Sequence, residues 1–122
     1  MKHFFLILFL FPLAVFSQSE FAKGAQFFDK GNYEKAKEIF TALYKKNPKD
    51  VSVIEYLGDI GGHTKKWDEA LVYYEKLKEL KPSEANYYYK YGGALGMKAK
   101  ESNKFKALGM IGDVEDSFKK AI

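Results

Sequence analysis

The chain has no cysteine and no arginine in its 122 residues, and only two histidines, one tryptophan and three prolines. Without cysteine no disulfide can form, and a lipoprotein anchor, which needs a thiol, is excluded. Every one of the 20 basic residues is lysine, so the planar fork that phosphate recognition favours is missing. Lysines and glutamates alternate, as in Glu34-Lys35-Ala36-Lys37-Glu38 and Glu75-Lys76-Leu77-Lys78-Glu79. That alternation reads as a solvated, salt-laced helix face and not as a nucleic-acid patch. Nucleic acid is therefore not expected as a partner.

Catalytic signatures are equally scarce. There is no strand pattern, and no nucleophile–base pair can be named. The glycines of Gly92-Gly93-Ala94-Leu95-Gly96-Met97-Lys98 do not give the spacing of a phosphate loop, and the tyrosines before them predict helix, not strand. Asp59 and His63 stand one helical turn apart, but two ligands fall short of the usual four, so no metal is expected. The chain reads as no enzyme and as needing no cofactor.

The N-terminus carries a different signal. Lys2 and His3 precede an almost unbroken apolar run from Phe4 to Phe16, followed by Ser17. The run is shorter than the ~20 residues that span a bilayer. It reads as a secretory signal over residues 1–17, cleaved after Ser17 to leave Gln18 first. Residues 18–122 then form one ordinary domain, with no stable membrane span and a periplasmic or secreted location of bacterial type.

That domain repeats itself. Gly24, Gly58 and Gly92 fall 34 residues apart, and Tyr33/Trp67, Ala36/Ala70, Phe40/Tyr74, Leu43/Leu77 and Pro48/Pro82 echo at the same interval. The second unit reads Ile54-x2-Leu57-Gly58-x2-Gly61, then Ala70-x3-Tyr74 and Pro82. This resembles the tetratricopeptide (TPR) pattern W-x2-L-G-x2-Y…A-x3-F…P. The resemblance covers residues 18–122, in repeats at about 17–50, 51–84 and 85–122. It implies an all-α, right-handed superhelical solenoid of helix pairs, A then B, acting as a scaffold for other proteins. The glycine on A and the alanine on B let the two axes approach, so Gly24, Gly58, Gly92, Ala36 and Ala70 are expected to be buried. Asn32, Asp50 and Ser83 offer N-caps, and Pro48 and Pro82 stop the B helices.

The third repeat departs from the pattern, with Lys104 and Leu108 where alanine and an aromatic belong. An insertion of about 99–111 is expected, with Phe105, Leu108 and Ile111 on one face, as an extension of the third A helix or a short added helix. Asp113-x-x-Asp116 resembles a helix start. The packing positions after it are Val114, Phe118 and Ala121 in one register, or Ser117 and Ala121 in another. No polar capping helix follows, which leaves open a longer array or self-association through the last helix.

The resemblance places a partner-binding groove on the A helices. Glu55, Asp59 and His63 stack at i, i+4 and i+8, with Phe21, Ala25 and Phe28 in equivalent places before them and Asn86, Tyr89, Gly93 and Gly96 after them. The lysine, asparagine and arginine clamp that some members use for C-terminal carboxylates does not carry over, since Phe21 and Ala25 occupy its first places. The expected partner is a protein segment or helix with lysine or arginine flanked by apolar residues. The alternative is an accessory protein that holds a hydrophobic molecule or glycan in the aromatic groove.

Overall fold

The computed structural model describes residues 19–122, the side chains of 104–107 excepted. The expected leader 1–17 and the Phe105 side chain lie outside the described residues. Six helices follow one another: α1 over 19–29, then α2 (Tyr33–Lys46), α3 (Val51–His63), α4 (Trp67–Leu80), α5 (Ala85–Glu101) and α6 (Lys104–Ala121). Among the described residues there is no strand, and no helix is long and apolar enough to cross a membrane.

One turn device recurs between helices. α1 ends at Gly31, whose φ of 77° is left-handed. The Gly31 N–H donates to the Phe28 carbonyl at 2.9 Å and the Asn32 N–H to the Phe27 carbonyl at 2.8 Å, the paired bonds that close a helix at a left-handed residue. Asn32 then caps α2, its side chain accepting from the Lys35 N–H at 3.3 Å. One period later Lys65 takes the place of Gly31 with φ 59°, and the Lys66 N–H donates to the Gly61 carbonyl at 2.8 Å. A side chain in that region costs roughly 1–2 kcal/mol through its Cβ.

At the next period stands Ala99, and no such ending forms. α5 runs on to Glu101, 17 residues against the 13 of α3. The stretch 99–111 is therefore divided: three residues finish α5, Ser102 and Asn103 turn the chain, and the rest opens α6. Asp113, expected at a helix start, lies inside α6. Gly109 and Gly112 face open space; each costs α6 about 1 kcal/mol relative to alanine, too little to stop a helix packed along α5. Asp50 caps α3 as expected, accepting from the Ser52 and Val53 N–H groups at 3.1 and 3.3 Å. Ser83 does not cap α5. The helix begins one residue too late for it, with Glu84 at the cap position and no side-chain bond there. The Tyr88 hydroxyl ties that turn instead, donating to the Pro82 carbonyl at 2.9 Å.

Packing produces two cores. Ala36, Phe40, Val53, Leu57 and Ile60 meet where α2 and α3 join, with Phe21, Ala25 and Phe28 of α1 against them. Ile54, Ala70, Tyr74, Leu77, Tyr87 and Ala94 bind α3, α4 and α5. α3 thus buries two faces, one toward each neighbour. Gly24, Gly58, Gly92, Ala36 and Ala70 are all buried, as the repeat pattern requires. The tightest crossing is α3 on α4, where a methyl on Gly61 would stand 2.8 Å from the Ala70 nitrogen and one on Gly58 2.5 Å from the Tyr74 ring. In the third pair Gly92 faces both Ser117 and Phe118, at 3.0 and 3.1 Å from such a methyl. Each register considered for that helix supplies one of the two.

Gly61→Ala should destabilise the fold by about 1–3 kcal/mol, because backbone atoms cannot yield to the added methyl. Gly112→Ala should instead stabilise it by about 0.5–1 kcal/mol, and Lys65→Gly should recover up to about 1 kcal/mol of left-handed strain. Urea unfolding of the three variants tests this; a Gly61→Ala protein as stable as its parent would refute the crossing.

Candidate functional site

The A-helix face is built from α1, α3 and α5. On its first half, aromatic rings from α1 and α3 interlock. Phe28 meets Tyr56 edge-on at 5.1 Å, Phe21 meets Tyr56 at 5.6 Å, and Tyr56 stacks on Phe40 at 4.5 Å. Phe21, Phe28, Ser52, Glu55, Tyr56 and Asp59 line a furrow of about 380 Å³ here. His63 does not extend the acidic stripe; its ring stacks on Tyr33 at 5.0 Å and meets Phe28 edge-on at 5.4 Å. The third member of the sequence stripe is thus part of the aromatic cluster.

The two acids meet a lysine that the sequence pattern did not single out. Lys90 of α5 reaches back across the groove, its Nζ donating to Glu55 Oε2 at 2.7 Å and to Asp59 Oδ1 and Oδ2 at 2.9 and 2.8 Å. The Tyr74 hydroxyl donates to Asp59 Oδ1 at 2.7 Å from below. The lysine side chain is only 22% exposed, and those of Glu55 and Asp59 are 31% and 25% exposed, so this cluster sits in the wall of the groove. Burial by itself would lower the Lys90 pKa, but the bonds it donates to Asp59 and Glu55, with their negative charge, outweigh it and hold it above the ordinary lysine value. Burial, then the Asp59 carboxylate, push the Tyr74 phenol far above its usual range. Two carboxylates on one ammonium leave the cluster with a net negative charge.

Beyond Lys90 the face opens again. Tyr89, Gly93 and Met97 of α5, with Trp67, Tyr74 and Phe118, line a second furrow of about 270 Å³. Tyr89 is 63% exposed, and its ring centre is 6.0 Å from that of Phe118. Trp67 stands in the wall with its indole N–H buried and without a hydrogen-bond partner among the described residues. Asn86 is exposed near the start of α5 and lines neither furrow. The structure therefore gathers Phe21, Phe28, Glu55 and Asp59, sets His63 beside them, and places Tyr89 across the Lys90 bridge. A larger hollow of about 790 Å³ lies along α2, among Glu34, Lys37, Glu38 and Lys45. Tyr33, Ala42 and Ile60 also line it, and it shares no lining residue with either furrow of the A-helix face. Among the described residues no group of three or more acids and histidines could hold a metal ion.

No family model matches the chain, and no curated protein matches it. Among solved structures it is similar to the crystal structure of a thermophilic TPR protein of Thermus thermophilus, with a TM-score of 0.75 at 20% identity. The match covers 86% of this chain and 55% of that one, so the chain spans about half the length of that protein. At this identity the likeness concerns the fold, and it bears out the architecture implied by the repeat pattern. The chain folds as a tetratricopeptide-type helical solenoid.

Lys90 and Tyr74 both hold their protons more tightly in the folded protein than in the unfolded chain. The stability that they add is complete below the ordinary tyrosine and lysine values, about 10 and 10.4, and is lost as pH rises past them. The melting temperature should therefore fall above about pH 10, and less steeply in Tyr74→Phe and in Lys90→Gln than in the parent. Parallel alkaline melting curves for all three proteins would contradict the coupling.

Proposed function

We propose that the chain is a noncatalytic scaffold whose concave A-helix face holds a segment of another protein, in a bacterial-type envelope or outside the cell. The observation that carries this reading is the layout of the face, two aromatic furrows separated by a bridge of net negative charge. Apolar side chains fit the furrows, and a single lysine or arginine between them fits the carboxylate edge that Lys90 leaves uncovered. Glu55 and Asp59 therefore serve a partner as a half-neutralised pair, which suits one cationic residue and not a polybasic run. Phe21, Phe28 and Tyr89 supply the ring surface that anchors such segments, since aromatic side chains bury much area at low entropic cost. The location rests on the apolar run Phe4–Phe16 and the Ser17 junction.

A photo-reactive residue at Ser52, which is exposed beside the first furrow, should capture a discrete partner in vivo. The same residue at Val72, exposed on α4, should not. Capture from Val72 alone would remove the groove from the binding surface. N-terminal sequencing of the exported chain should read from Gln18, and a chain retaining Met1 in the cytoplasm would overturn the location.

A further inference from the structure

We propose that the second furrow is a seat for one aromatic side chain of the partner segment, with a lysine or arginine next to it; this specifies the scaffold role proposed above and rests on it. One period earlier the chain fills the same seat itself. Phe28 packs edge-on against Tyr33 at 5.4 Å, Tyr56 at 5.1 Å and His63 at 5.4 Å. One period of 34 residues later, those four positions are Gly62, Trp67, Lys90 and Met97. All four line the second furrow. The three neighbours of the ring are thus kept as long or broad side chains, and the ring alone is replaced by glycine.

Close packing does not explain that glycine. A methyl on Gly62 would stand 3.7 Å from the Tyr74 hydroxyl oxygen and 4.0 Å from the Trp67 ring, both ordinary contacts. On Gly58 and Gly61 of the same helix it would collide, at 2.5 and 2.8 Å. Those two glycines let the helices approach, whereas Gly62 keeps the seat open. The furrow holds about 270 Å³, below the roughly 300–1,000 Å³ of sites for drug-sized ligands. It therefore suits one side chain.

The walls select what sits there. Trp67, Tyr74, Tyr89 and Phe118 all present rings to the furrow, and a ring meeting rings gains more than its buried area alone. Lys90 adds an ammonium, which is drawn to the negative face of a ring; its Nζ already stands 6.0 Å from the centre of Tyr74. The two carboxylates on Lys90 leave the adjoining cluster negative. That charge favours a cationic residue beside the seated ring.

Melting curves and peptide binding, on the chain as the cell delivers it, test the seat. Gly62→Phe supplies the ring from within, and should melt higher than Gly62→Ala, which gains helix propensity alone. A Gly62→Phe protein less stable than Gly62→Ala would overturn the proposal. Acetyl-Lys-Phe-amide, followed by amide NMR shifts around Trp67 and Gly93, should bind with affinity on the order of millimolar. Acetyl-Lys-Ala-amide should bind roughly tenfold more weakly, and Gly62→Phe should erase the difference. Two dipeptides that bind alike would overturn the seat. The same shifts on concentrating the chain without peptide would give the seat to a second copy, and would overturn it too. In vivo, capture of the partner from Ser52 should fall roughly tenfold in Gly62→Phe. Undiminished capture would overturn the seat and leave the scaffold role standing. No capture from the parent would overturn the scaffold role, with the dipeptides deciding the seat by themselves.

Discussion

How closely α3 can lie on α4 decides the rest of the array. A Cβ on Gly61 would run into the backbone of Ala70 and force the helices apart, and one on Gly58 would run into the ring of Tyr74 and displace it. That separation would open the core of Ile54, Ala70 and Leu77, which are all fully buried. It would also lift Tyr74 away from Asp59, because the ring that fills the Gly58 gap carries the hydroxyl that bonds the carboxylate. Core packing and groove electrostatics therefore depend on the same two missing side chains.

The repeats reuse one backbone with different chemistry. Asp59 and Tyr74 occupy the places of Ala25 and Phe40 one period earlier. The hydroxyl is present where there is an acid to accept from it and absent where there is none. A buried hydroxyl without a partner would cost about 1–3 kcal/mol, so the two positions must change together. Gly93 stands in the acid's place in the third repeat, and the groove floor there is bare. The polar bridge is accordingly confined to the middle of the face, with ring surface on both sides.

Much of the fold was legible because its causes are local and periodic. The glycine–alanine crossings and the two proline stops appear in the sequence at the 34-residue interval, and the Asn32 and Asp50 caps are local signals that need no repeat to be read. The third repeat was harder to read because its departure consists of something that does not happen: with Ala99 in place of a left-handed residue, the helix simply continues. Asp113 looked like a helix start because capping chemistry is a local signal, and packing of α6 along α5 overrides it. The groove was half legible. Its aromatic and acidic residues repeat in phase, but Lys90 lies 35 and 31 residues from Glu55 and Asp59, just off the period. Pairs one step beyond or three steps short of the repeat face each other across adjacent A helices. A search for opposite charges at those offsets would have found this bridge.

Trp67 gives the groove a built-in optical reporter. It is the chain's one tryptophan and stands in the wall of the furrow that Tyr89, Lys90 and Met97 share. Indole emission shifts with the polarity around the ring, so the protein's intrinsic fluorescence originates beside the surface where a partner segment would lie. Tyr74 and Tyr89 line the same furrow and can pass excitation to that single acceptor. The ring that closes the start of α4 thus makes occupancy of the neighbouring furrow visible without any attached dye.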